Sequence, residues 1–169
     1  MTRGQPEPDP LDVLRGLRRR HPDVDVVVLP ELPAAVDPST PAEAQDLLAR
    51  GRSALSHVEE RLRREPSARV ELWWRQDRPD VHRLVVRESF RDLDPDDAVQ
   101  LLRDLGDALL DHGWSAGPAT APVPALDAAS AEGDLEVSAR VVGGAVDVEL
   151  VSAPLRLARE QLPELGARR

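Results

Sequence analysis

Apolar and polar residues alternate most regularly on either side of the pair Gly143-Gly144. A period of two is the spacing of a β-strand, and a Gly-Gly pair between two such runs favours a two-residue hairpin turn. That turn sets Val142 opposite Ala145 and Arg140 opposite Asp147. The apolar side chains of the predicted hairpin then share one face: Leu135, Val137, Ala139, Val141, Val146, Val148 and Leu150.

The same alternation predicts an earlier hairpin over residues 70–90, with its loop at residues 76–80. Two sets of residues alternate on its first strand: Val70, Leu72 and Trp74 in one, Glu71, Trp73 and Arg75 in the other. Neighbouring residues of a strand point to opposite faces of the sheet, so the two indoles cannot both enter the core. Trp74 belongs to the apolar set, which predicts that it is buried. Trp73 belongs to the charged set, so we expect it on the wetter face.

Apolar residues three and four apart predict a helix from residue 41 to about Arg64. The four residues from Thr40 to Glu43 match a capping box, in which the Thr40 hydroxyl and the Glu43 carboxylate each accept from the other residue's amide. Gly51 lies on the apolar face and would let another backbone approach closely. The residues of this face are Ala44, Leu48, Gly51, Leu55, Val58 and Leu62.

A second long helix is predicted to begin after Asp94, a good N-cap, with Pro95 in its first position. Gly113 is the expected left-handed residue that ends it. Its apolar residues share one face: Ala98, Leu101, Leu102, Leu105, Ala108 and Leu109.

The remaining segments carry weaker patterns. Residues 10–20 predict a short helix, and the valine-rich residues 24–29 predict a strand covered on both faces. Residues 115–133 are rich in alanine and proline without a period, which predicts a flexible insert rather than a strand or helix. Apolar residues at helical spacing predict a short closing helix: Leu155, Ala158 and Leu162.

Together these elements predict one domain of the α+β class. Helices and hairpins alternate along the chain, which favours a two-layer sandwich: a mainly antiparallel sheet with helices packed on one face. We expect the domain at residues 10–165, a disordered tail at residues 1–9 and a second tail at residues 166–169.

Composition removes several classes of chemistry. The chain of 169 residues contains no lysine and no cysteine, and all 22 basic side chains are arginine. Schiff bases, a phosphate-loop lysine, thiolate nucleophiles and disulfides are therefore excluded. The net charge of −9 argues against binding to nucleic acid or to an anionic membrane. No apolar run is long enough to cross a bilayer, so we expect a cytoplasmic protein without a membrane contact.

No motif for a metal or cofactor is present, and we predict neither. The four histidines lack a second ligand at metal-binding spacing, and glycine-rich nucleotide-binding loops and a serine hydrolase elbow are missing. One alternative stays open, namely a hydrolase or lyase that combines His57 or His82 with a carboxylate after folding. A second alternative is a small-ligand binder with a pocket between the sheet and the helices.

The interpretation we favour is a non-enzymatic module that binds a protein partner or forms a homodimer. An indole on the wetter face of a strand stacks on an arginine or marks a contact surface, where tryptophan is enriched. The element order, small size and acidity resemble those of dimeric secretion chaperones at the level of the fold, with no shared motif. The candidate binding residues are Trp73, Arg75, Arg83 and Arg87.

Overall fold

The computed structural model describes residues 37–158, 160–161 and 165, which form an α+β sandwich of two layers. The predicted fold class is confirmed. One layer is a sheet of antiparallel strands, and the other consists of two helices packed against one of its faces. The helices are α1 (Pro41–Leu62) and α2 (Pro95–Asp111). The strands are β1 (Ala68–Arg75), β2 (Val81–Phe90), β3 (Ser115–Pro118), β4 (Ala125–Ala129), β5 (Leu135–Val142), β6 (Ala145–Ser152) and β7 (Leu155–Arg156).

The strands lie in the order β1-β2-β6-β5-β4-β3, so β1 and β3 form the edges of the sheet within the described residues. Strand β7 pairs with β2 beyond the end of β6. Ser152 joins these two pairings, because its hydroxyl accepts a hydrogen bond from the Leu84 amide of β2 at 2.9 Å where the β6 ladder stops.

Helix α1 begins with the predicted capping box. The Thr40 amide donates to the Glu43 carboxylate at 2.7 Å, and the Glu43 amide donates to the Thr40 hydroxyl at 3.2 Å. Its predicted apolar face is buried apart from Leu62, which is only partly covered. The expectation for Gly51 is wrong in one respect, because side chains of β2 and β6 pack on it, not a backbone.

Helix α2 starts at Pro95 after Asp94, whose side chain makes no capping hydrogen bond. Its predicted apolar face is buried in full, and Gly113 has the expected positive φ of 88°. The six buried alanine and leucine residues of this helix contribute to a core that contains few aromatic rings. Phe90 is the largest of the fully buried side chains, followed by a set of leucines.

The hairpin of β5 and β6 has the predicted register. Val142 pairs with Ala145 and Arg140 pairs with Asp147, and both turn glycines have positive φ. Its seven apolar residues face the helices, and all but the partly buried Val141 are almost fully buried. A strict alternation over two strands with a short turn left no other register in which one face is apolar.

Two predictions about element positions are wrong. Residues 115–133 contain strands β3 and β4, because the small residues of this stretch still place Leu126 and Ala128 toward the core on alternate positions. Leu155 lies in strand β7 rather than in a closing helix, since its backbone pairs with β2 at His82. The predicted tails, first helix and first strand lie outside the described residues, as does Leu162. No described helix has the length and apolarity needed to cross a membrane.

Candidate functional site

We call the face of the sheet that points away from the helices the open face. Two adjoining grooves of about 690 and 710 Å3 follow it and share Asp127, Ser138 and Glu149. Their lining comes from strands across the whole sheet, from β1 at one edge to the β3–β4 connection near the other. The predicted small-ligand pocket was expected on the opposite side, between sheet and helices. Because their lining extends across the whole sheet, the two grooves form a broad surface rather than an enclosed cavity.

Charges of both signs cover the centre of the open face. Arg87 forms an ion pair with Glu149 across β2 and β6, and the Ser89 hydroxyl donates to Asp147 at 2.8 Å. Arg140 is the register partner of Asp147 on the neighbouring strand. These contacts tie the polar side chains to one another, so the face is hydrophilic without being a single-sign patch.

The edge of the open face at β1 is apolar instead. Val70 and Trp74 are 53% and 54% exposed, and Leu72 lies half-buried between them on the same side of the strand. Together these three residues form what we call the β1 apolar row. Arg83 stands opposite Trp74 in the β1–β2 register, and its Nε is buried with no hydrogen-bond partner among the described residues.

The predicted orientation of the two indoles is wrong. Trp73 is 8% exposed and belongs to the core beneath α1, whereas Trp74 is on the open face. The cause is that Glu71 and Arg69, on the same side of β1 as Trp73, face the helix layer and pair with charged residues of α1. Glu71 accepts two hydrogen bonds from Arg52 of α1, and Arg69 pairs with Glu59 of the same helix.

The four predicted binding residues are thus divided between the two faces. Arg83 and Arg87 line the open face, where Arg83 lies opposite Trp74 and Arg87 lies opposite Val70. Arg75 is two residues from Trp73 on the same strand, so it lies on the same helix-facing side, opposite His82. Its side chain is exposed and has no ion pair within the described residues.

Sequence reasoning missed a buried acidic group beneath α1. Glu88 of β2 is almost fully buried, and its Oε1 accepts from the Arg69 Nε at 2.7 Å while its Oε2 has no partner in the described residues. Burial raises the pKa of the Glu88 carboxyl, and the Arg69 guanidinium opposes this rise. The sequence does indicate this burial, because Glu88 alternates with apolar residues that share its face of β2, namely Leu84, Val86 and Phe90.

The two histidines of the enzymatic alternative lie on different elements, His57 on α1 and His82 on β2. Burial lowers the pKa of His82, whose Nδ1 lacks a hydrogen-bond partner among the described residues. His57 stacks on His112 with their ring centroids 4.8 Å apart. Neither His57 nor His82 forms an ion pair with a carboxylate in the part of the chain that the structure describes, and that part holds no cluster of three metal-ligating side chains.

Comparison with known proteins gives no further guide to the site. No protein-family model, curated protein or solved structure matches the chain.

Proposed function

We propose that the protein is a non-enzymatic binding module that holds another protein chain against the open face of its sheet, along β1. The observation that carries this proposal is the β1 apolar row. An indole that is half exposed beside an exposed valine, on the edge strand of a sheet, is costly in water and typical of a protein contact.

The surroundings of this row support a protein rather than a small molecule as the ligand. The grooves beside it are lined by charges of both signs, which suits a polypeptide with side chains of both signs. Arg83 lies directly beside Trp74 and lines the groove, so its guanidinium would pair with a carboxylate of a partner chain that covers the indole. The proposal keeps the cytoplasmic location expected from the sequence.

A site-specific photo-crosslinking side chain tests the proposal in living cells. We would introduce it in place of Trp74 on the open face, and in place of Val142 as the control. Val142 is a comparably exposed apolar residue, at the turn of the β5–β6 hairpin. We expect a discrete protein adduct from position 74 and none from position 142.

Three results are informative. An adduct at position 74 alone supports binding at the β1 apolar row, and its mass identifies the partner as a second copy or a different protein. Adducts at both positions point to nonspecific proximity and contradict the proposal. No adduct at position 74 at any expression level contradicts it as well.

A further inference from the structure

No strand of the described residues pairs with the outer edge of β1, so its backbone groups can pair with another strand. The Gln76 amide donates to the Val81 carbonyl, and the Leu84 amide points away from β1 toward Ser152 of β6. In an antiparallel ladder these two bonds fix the pattern: even-numbered residues of β1 bond to β2, and odd-numbered residues direct their N–H and C=O groups outward. The outward-directed backbone groups along this edge therefore belong to Glu71, Trp73 and Arg75.

A second copy can pair with this edge in only a few ways. A two-fold axis normal to the sheet keeps the helix layers of both copies on the same side, so outward residues must face outward residues. An axis at Glu71 sets this carboxylate against its own copy. An axis at Leu72 sets Arg69 against Arg75. Both registers place like charges opposite each other, which destabilises a strand pair.

An axis at Trp73 gives the opposite outcome. Glu71 then faces Arg75 of the second copy, and Arg75 faces its Glu71. Arg75, which is exposed and has no ion pair among the described residues, thereby joins the pair that Glu71 makes with Arg52. On the open face, Leu72 of each copy lies beside Trp74 of the other. An axis at Val70 also pairs opposite charges, but it leaves Trp74 uncovered and Arg75 without a partner.

We propose that the partner at β1 is a second copy of this chain, paired antiparallel through a two-fold axis at Trp73 so that the two sheets become one. This inference rests on the proposed function and names its partner. It accounts for two features at once, the exposed Trp74 on one side of the strand and the solvent-exposed Arg75 on the other.

Charge reversal tests the register. We expect the purified chain to sediment as a dimer in the micromolar range. Arg75→Glu sets two carboxylates opposite each other twice per dimer, and Glu71→Arg sets two guanidinium groups opposite each other, so each variant should weaken the dimer about tenfold or more. Mixing the two variants in equal amounts should restore dimers, because their hybrid pairs opposite charges at every position.

Controls separate this result from unfolding and from a different partner. Arg75→Glu removes no ion pair of the described residues, so its thermal unfolding should match the wild type. Arg103→Glu, at an exposed position of α2 with no ion pair among the described residues, should leave dimerisation unchanged. A monomeric wild-type chain, single variants that still dimerise, or a mixture that stays monomeric would each overturn the inference. The proposed function would survive such a failure if position 74 crosslinks to a different protein.

Discussion

Glu88 lies opposite Arg69 on the helix-facing side of the sheet, with its Oε1 2.7 Å from the Arg69 Nε and its side chain only 1% exposed. Arg69 also pairs with Glu59 of α1, so one half-exposed guanidinium holds two carboxylates. The free energy of unfolding therefore depends on this arginine and on pH.

Glu88→Gln should change how stability depends on pH. Burial raises the pKa of Glu88 in the folded protein above its value in the unfolded chain, so between those two values the folded state holds the extra proton. The free energy of unfolding of the wild type then falls as the pH rises above the ordinary glutamate pKa of about 4.3. The glutamine cannot ionise and removes this loss.

Urea unfolding of both proteins from about pH 4 to about pH 8 measures the effect, since this range starts near the ordinary glutamate pKa. We expect the stability of the wild type relative to Glu88→Gln to decrease with rising pH. The control is Glu136→Gln, at an exposed position on the open face. The stability of the wild type relative to this control should stay constant across the pH range. A wild type that gains stability relative to Glu88→Gln as the pH rises would contradict the raised pKa of Glu88.

Arg69→Ala should destabilise the fold at neutral pH through the loss of the cation between Glu59 and Glu88. Removing one partner of a fully buried ion pair costs about 3–5 kcal/mol, and the half-exposed position of Arg69 reduces this to about 2 kcal/mol. In a Glu88→Gln background the same change should cost less than about 1 kcal/mol, because no buried charge is left unpaired. Equal losses in both backgrounds in this double-mutant cycle would show that the two side chains are not coupled.

Trp73→Ala and Trp74→Ala should separate the two faces of β1. Trp73 fills the core beneath α1, so its truncation leaves a cavity and should cost about 3–5 kcal/mol. Trp74 is half exposed, and its loss should change the free energy of unfolding of the monomer by less than about 1 kcal/mol. Urea titrations at a concentration low enough to exclude association compare the two. Similar losses for both variants would contradict the orientation of the strand.

The difference between these two tryptophans shows where sequence reasoning succeeds and where it stops. The β5–β6 hairpin was predictable in full, because its alternation is strict and Gly143-Gly144 allows only one apolar face. Helix α2 was predictable for the same reason, since every apolar residue of its repeat is buried. In both elements, local pattern and tertiary environment agree.

Strand β1 was not predictable in this way. Its apolar set looks like a core face, yet the set that contains Trp73 faces α1, because Arg52 and Glu59 of that helix pair with Glu71 and Arg69. That relation depends on the position of α1 over the sheet, which no periodicity within β1 encodes. The candidate site contains the same error. The sequence groups Trp73 with Arg83 and Arg87, whereas in the structure these two arginines share the open face with Trp74.

Ser152→Ala should expose the dependence of the sheet on one buried hydroxyl. The Ser152 Oγ accepts from the Leu84 amide at 2.9 Å and donates to the Ala153 carbonyl at 2.7 Å, at the point where β6 leaves β2. Alanine leaves the Leu84 amide buried without an acceptor, which costs about 1–3 kcal/mol. Hydrogen exchange at that amide should accelerate along with the loss in stability, because its bond is the one removed. Ser138→Ala, on the exposed face of β5, is the matched control and should stay within about 0.5 kcal/mol of the wild type. If both serine variants unfold alike and the Leu84 amide keeps its protection, the hydroxyl does not stand in for the missing ladder bond.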